Sequence, residues 1–153
     1  MIFNKSDAAE IFDHFLMEMD DQLEWLTEEA ETYGIELEFT QDDLTKLEKL
    51  FDLMAEGRDK EYISRIVVTF ARYLGEIFRK NSGGKWELHL ENEKNVNFNT
   101  PVIAGYSKIE GLEFAPLLVM RAYSLRKKEG TLAMAVDANV NPKPLDLSKF
   151  TEG

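Results

Sequence analysis

The spacing of the apolar residues changes once along this chain, and that change limits the possible folds most. Before the pair Gly83 and Gly84, apolar side chains recur every three to four residues, which is the period of an amphipathic helix. After the pair, Trp86, Leu88 and Leu90 alternate with polar residues, which is the period of a half-buried strand. The sequence therefore predicts an α+β fold, in which N-terminal helices pack with a small antiparallel sheet.

Three helices are predicted ahead of the glycine pair, over residues 7–33, 41–56 and 59–80. Ser6 is the expected N-cap of the first helix, and Gly34 is its expected end. The third helix carries apolar residues around more than half of its circumference. We therefore expect it to be a central helix that is covered on more than one side.

The second half of the chain predicts short strands followed by a further C-terminal helix. Strands are expected over 86–91 and 102–106, with a return strand over 96–98 as an additional candidate. The C-terminal helix should begin near Pro116, since proline is favoured in a first helical turn, and end before Gly130.

The end of the chain is less well determined by its pattern. Residues 131–138 fit either a helix or a strand. The segment from Asn141 to Pro144 holds two prolines, which predict an extended tail. We find no linker, so we expect a single domain over 1–153, with an acidic helical half over 1–61. The central helix, the small sheet and the C-terminal helix occupy 62–153.

Charge is distributed unevenly between these halves of a 153-residue chain whose net charge is −11. Residues 1–61 hold 19 acids and 5 bases, whereas residues 62–153 hold 10 acids and 13 bases. Such an acidic surface is expected to attract a basic protein partner. The alternative is a solvated helical face that only keeps the protein soluble. Nucleic acid is not an expected partner, because phosphates would be repelled.

Other features of the sequence point away from membranes and secretion. The longest apolar run, Ala115 to Met120, has six residues, whereas a membrane-spanning helix needs about 20. The N-terminus lacks the basic and then apolar pattern of a signal peptide. The chain has no cysteine, and therefore neither disulfides nor thiolate metal ligands. We expect a cytoplasmic protein without a membrane partner.

No catalytic residue, metal site or cofactor is expected. The chain lacks a Gly-x-Ser-x-Gly nucleophile motif, and a helix ends rather than begins at Gly83 and Gly84, unlike in a phosphate-binding loop. His14 and His89 each lie between two glutamates, but no Glu-x-x-His pattern is present on two helices, as a helical metal site would require.

One cluster on the central helix stands out as a candidate site. Arg72, Glu76 and Arg79 lie one turn apart on one face, and Lys85 and Trp86 follow soon after. One interpretation is an Arg–Glu–Arg ladder or a buried structural pair. The other is a pocket in which the two guanidinium groups bind a phosphate or carboxylate ligand.

The neighbouring Gly75 adds a second expectation for this cluster. Glycine in the middle of a helix costs up to about 1 kcal/mol relative to alanine, so a structural reason for it is expected. We predict that Gly75 contacts another backbone or an aromatic ring with no room for a methyl group. If Glu76 has a structural role, it should bond an arginine or backbone amides.

The run from Gly75 and Glu76 to Gly83–Trp86, followed by Phe114–Arg121, resembles a pattern of small bacterial domains of unknown function. In those domains a Gly-Glu helix runs into a Gly-Gly-x-Trp turn and a strand. The resemblance covers about residues 65–125 and implies no activity and no catalytic residue. Some small acidic proteins of this kind lie beside toxin systems as immunity proteins, so the resemblance implies a role of that type.

Two hypotheses about function follow. The leading one is a non-enzymatic protein-binding domain, of the immunity type that the resemblance implies, which recognises a basic partner through its acidic half. The alternative is a small-molecule-binding domain or an enzyme with an anionic-ligand pocket. That pocket would be lined by Arg72, Glu76, Arg79, Lys85 and Trp86.

Overall fold

A computed structural model describes residues 3–141 and confirms the α+β fold. Over that range, six helices accompany one two-stranded antiparallel sheet. The elements in chain order are α1 (Lys5–Met17), α2 (Met19–Thr32), α3 (Asp43–Ala55), α4 (Lys60–Ser82), β1 (Lys85–Glu87), β2 (Val102–Ala104), α5 (Pro116–Arg126) and α6 (Thr131–Val140).

The long first helix predicted over 7–33 is in fact two helices, α1 and α2, separated at Glu18. The N-cap is also different, because the side chain of Asn4, not Ser6, accepts the N–H groups of Ser6 and Asp7 at 2.9 and 3.1 Å. Gly34 ends α2 as expected and adopts φ = 74°, a left-handed conformation that glycine favours.

The central position predicted for the helix over 59–80 is confirmed. Helix α4 packs against α2, α3 and α5. Its Phe70, Leu74 and Ile77 are fully buried in the core. The opposite face is also covered, because α1 lies over part of it, and Arg72 is buried there rather than exposed.

The sheet is shorter than the alternating pattern predicted. β1 and β2 pair over three residues each, with Trp86 opposite Ile103. Residues 88–90 are outside the sheet, and the candidate return strand over 96–98 consists of turns. Polar side chains position this segment, since Asn97 donates to Glu113 at 3.0 Å and the His89 ring contacts the same carboxylate.

The C-terminal helix begins at Pro116 as predicted, and the ambiguous residues 131–138 lie within α6. A side chain from α3 stabilises the start of α6. The buried carboxylate of Glu48 accepts the N–H groups of Gly130 and Leu132 at 2.9 and 3.0 Å. Two N–H groups that helix geometry leaves without partners are thereby satisfied. The tail predicted from Asn141 to Pro144 lies outside the described residues from 142 onward.

Over residues 3–141, no helix is both long enough and apolar enough to cross a membrane.

Candidate functional site

The indole ring of Trp86 lies directly on Gly75 of α4. A β-carbon built on Gly75 would overlap two carbons of that ring, and it would lie 3.2 Å from Cδ1 of Ile103. The ring also makes an edge contact with Phe15 of α1, at 5.0 Å between the ring centroids. The prediction that Gly75 contacts an aromatic ring without room for a methyl group is therefore confirmed.

Glu76 accepts hydrogen bonds from two side chains, one of them the packed indole ring itself. Nη1 of Arg79 donates to both carboxylate oxygens, at 3.1 and 2.9 Å, and the indole Nε1 of Trp86 donates at 3.0 Å. Nε of Arg79 donates to the carbonyl oxygen of Gly84 at 3.2 Å. Only 15% of the Glu76 side chain is exposed. The hydrogen bonds among Glu76, Arg79 and Trp86 thus join the end of α4 to the turn at Gly83 and Gly84 and to β1.

Arg72 is directed away from this group and toward α1. Its Nε donates to the carbonyl oxygen of Phe15 at 3.2 Å, and Nη2 lies 3.7 Å from the carboxylate of Glu18. Its guanidinium carbon lies 4.5 Å from the centre of the Phe15 ring. Burial lowers the pKa of Arg72, and the charge of Glu18 opposes that shift. Arg72 thus contacts the segment in which α1 ends and α2 begins.

Lys85 is exposed, whereas its neighbour Trp86 is half-buried. Successive side chains of a strand point to opposite faces, so Lys85 lies on the other side of β1 from the indole ring. Of the five residues proposed for an anionic-ligand pocket, the structure brings together Glu76, Arg79 and Trp86. Arg72 and Lys85 have other surroundings.

We expect Glu76→Gln to lower the free energy of unfolding by about 1–2 kcal/mol, because it weakens charge-assisted hydrogen bonds to Arg79 and Trp86. Urea unfolding followed by circular dichroism measures this change. Glu87→Gln is a matched control on the exposed face of β1, and we expect it to change stability by less than about 0.5 kcal/mol. Equal stabilities for wild type and Glu76→Gln would contradict a structural role for Glu76.

The acidic half of the chain forms a second candidate surface, and its negative charge is concentrated in one segment of that half. Residues 6–45 contain 14 acids and no lysine or arginine. Within the described part of the chain, only Glu18 and Asp43 of these acids form an ion pair, with Arg72 and Lys46 respectively. The remaining acids of α1 and α2 lie mainly at exposed positions, including Asp7, Glu10, Asp13, Asp20, Asp21, Glu24, Glu28 and Glu31.

Exposed apolar side chains are interspersed among these acids. Ile11 is 70% exposed and Met17 is 75% exposed. Helical spacing places Ile11 in the apolar stripe of α1, together with Phe12. Because α1 packs over the edge of α4 through Phe12 and Phe15, Ile11 instead lies at the margin of that contact. Periodicity identifies the apolar stripe of a helix, but not how much of it a neighbour covers.

An apolar crevice lies beside Ile11. It has a volume of about 230 Å³ between α1, α4, α5 and the chain near Pro101. Its lining includes Ile11, Phe12, Phe15, Val68, Pro101 and Leu117. We call it the α1 crevice. None of its described lining residues is charged, and Asn99 is the polar one.

The described residues provide no evident set of ligands for a metal ion. Over 3–141, no three His, Cys, Asp or Glu side chains converge as a metal site would require. His89, which the sequence places between Glu87 and Glu91, contacts Glu113 instead.

No family model matches this chain, and no curated protein or solved structure matches it significantly. The similarity to small bacterial domains therefore remains a resemblance of motifs.

Proposed function

We propose that this protein is a non-enzymatic binding protein that recognises a basic protein partner through the acidic surface of α1 and α2. The observation that supports this proposal most directly is the run of 14 acids without a lysine or arginine over residues 6–45. Unpaired charges of one sign create a field that raises the association rate of an oppositely charged partner.

The exposed apolar residues on the same helices strengthen the proposal. A helical face that served only for solubility would have no need of side chains such as Ile11 and Met17, which are mostly exposed. Interfaces commonly combine apolar anchors with a polar rim. The acidic surface offers both, and an immunity role in the cytoplasm would be one form of such binding.

The alternative, an anionic-ligand pocket, receives less support from the geometry. Glu76 already binds the guanidinium group of Arg79, and the Arg79 Nε bonds the chain at Gly84. An anion at this position would have to compete with an internal carboxylate. Such an arrangement favours a structural pair over a ligand site.

Charge reversal on α2 tests the proposal. Replacing Glu28, Glu29 and Glu31 by lysine should slow association with a basic partner about tenfold. This effect should be smaller at high salt, because exposed charges are screened beyond about 8–10 Å. Pull-down from the native cell with the wild type and with the reversed variant identifies the partners. The association rates are then measured at two salt concentrations.

A second reversed variant controls for net charge. Glu93, Glu110 and Glu129 are exposed residues outside the acidic surface, and lysine at all three changes the net charge by the same amount. We expect this variant to retain the partners of the wild type. Identical partner lists for all three proteins, or loss of partners in both reversed variants alike, would refute recognition through α1 and α2.

A further inference from the structure

We propose that the α1 crevice is the docking site for a basic amphipathic helix of the partner, an inference that rests on the proposed function and names the contact it requires. The crevice is one of two apolar depressions that share Val68 and Leu117. The second depression has a volume of about 270 Å³ between α4 and α5, and Ile63, Val67 and Leu125 contribute to its lining.

The dimensions of the two depressions suit helical anchors. Liquid water occupies about 30 Å³ per molecule, so a depression of about 230 Å³ has room for one large apolar side chain in place of about seven waters. Leu117 and Leu125 are eight residues apart on α5, which corresponds to about 12 Å along the helix axis. Leu117 lines both depressions and Leu125 lines the second, so a partner helix laid beside α5 would meet both depressions within this length, with anchors at most about two turns apart.

The charges around the crevice indicate the chemistry of the partner. On α1, Asp7 lies one turn before Ile11 and Glu10 directly precedes it, and both carboxylates are exposed. The only lysine or arginine on α1 is Lys5, which pairs with Glu91 at 3.6 Å. Lysine or arginine beside an apolar anchor would complement this rim, whereas an acidic helix would be repelled.

The second depression, between α4 and α5, carries a positive charge. Arg121 of α5 contributes to the lining of the second depression. We therefore expect the basic residues of the partner to lie over α1 rather than over α5. The sequence did not predict this surface, because its residues come from α1, α4, α5 and the loop before β2.

Two synthetic peptides of about 18 residues, or about five helical turns, provide the probes for a test on the full chain. One repeats leucine and lysine at helical spacing, and its counterpart has glutamate in place of lysine. We expect the leucine–lysine helix to bind and the leucine–glutamate helix to bind at least tenfold more weakly. Failure of the leucine–lysine helix to bind, or equal binding of both helices, would overturn the proposal.

Substitutions in the lining of the α1 crevice test whether the peptide binds there. Ile11→Ser should weaken binding about tenfold, mainly through faster dissociation, because a largely exposed isoleucine can no longer be buried against the helix. Val68→Phe should also weaken binding, since the larger ring occupies space that the anchor needs. Met134→Ser is the matched control, because Met134 lies on α6, is 62% exposed and is remote from the crevice lining.

Kinetics separate this inference from the proposed function. Reversal of Glu28, Glu29 and Glu31 should slow association, whereas Ile11→Ser and Val68→Phe should speed dissociation. If only the charge reversal acts, the acidic surface is retained as the function and the crevice is refuted as its contact. If only Ile11→Ser and Val68→Phe change the binding kinetics, docking in the α1 crevice is supported, and attraction by the acids of α2 is refuted.

Other occupants of the crevice would give different results. Self-association of the full chain that is lost in Ile11→Ser, measured by sedimentation, would assign the crevice to a second copy. Tighter peptide binding after serine replaces Leu145, Leu147 and Phe150 would assign it to the tail of the chain. Either result would overturn the proposed partner helix.

Discussion

Replacing Asp43 by alanine should lower the free energy of unfolding by about 3–5 kcal/mol, because three donors would lose a charged acceptor at about 1–3 kcal/mol each. The Asp43 side chain is fully buried at the start of α3. Its Oδ2 accepts the N–H groups of Glu38 and Phe39 at 2.8 and 2.7 Å and the hydroxyl group of Tyr73 at 2.5 Å. Alanine would leave these donors without the carboxylate.

The Tyr73 hydroxyl group remains a donor over the whole ordinary pH range. Burial, followed by the hydrogen bond to Asp43, raises the pKa of Tyr73 above its usual value. The carboxylate and the phenol therefore attach the crossing between α2 and α3 to the central helix α4. Tyr73→Phe removes the bond to Asp43 and the bond that the Phe39 N–H donates to the same hydroxyl group at 2.9 Å, and it should cost about 1–2 kcal/mol.

Urea unfolding of the Asp43→Ala protein, followed by far-ultraviolet circular dichroism, measures the predicted loss. Asp42→Ala is the matched control, because Asp42 is the preceding residue, is exposed and makes no side-chain capping bond. We expect that control to change stability by less than about 0.5 kcal/mol. A loss below about 1 kcal/mol for Asp43→Ala would show that the buried carboxylate is not what fixes this crossing.

The sequence predicted correctly those helices that a repeating pattern of neighbouring residues determines. Helices α3 and α4 end within two residues of the predicted bounds, because their apolar faces repeat over several turns and glycine or a cap marks their ends. The break between α1 and α2 has no comparable local signal. It lies where Arg72, some 50 residues further along the chain, contacts Phe15 and Glu18.

The strands show the same difference between local pattern and tertiary pairing. Alternation after Gly84 predicted a strand through residue 91, but a strand continues only as far as a partner pairs with it. β2 provides three such residues, and Ile103 bridges to Phe114 on its other side. Beyond Glu87, polar contacts to Glu113 replace the ladder.

The candidate sites differ in how far they could be predicted. Gly75 and Glu76 conflict with the local preferences of a helix, and that conflict correctly indicated a special contact. Periodicity placed Arg72 on the same face, but it could not reveal that α1 covers part of that face. The α1 crevice was missed altogether, because it exists only where four separate segments meet.

Gly75→Ala should destabilise the protein by about 1–3 kcal/mol, although intrinsic helix propensity alone predicts a gain of up to about 1 kcal/mol. The new methyl group would overlap the indole ring of Trp86, which cannot retreat freely. Phe15 contacts the ring from α1, and the indole N–H is bonded to Glu76. The expected loss therefore comes from displacement of the ring and of the contacts that depend on it.

The same substitution in a protein that lacks Trp86 tests whether the indole ring causes this loss. In a Trp86→Leu protein, the overlapping ring is absent, and the same Gly75→Ala change should be neutral or stabilising by up to about 1 kcal/mol. Urea unfolding of the four proteins in this double-mutant cycle measures the reversal, and far-ultraviolet circular dichroism reports unfolding in all of them. A similar loss in both backgrounds would locate the steric conflict elsewhere, with Ile103 as the remaining neighbour at 3.2 Å. A gain in both would show that the ring yields easily, and that glycine is not required beneath it.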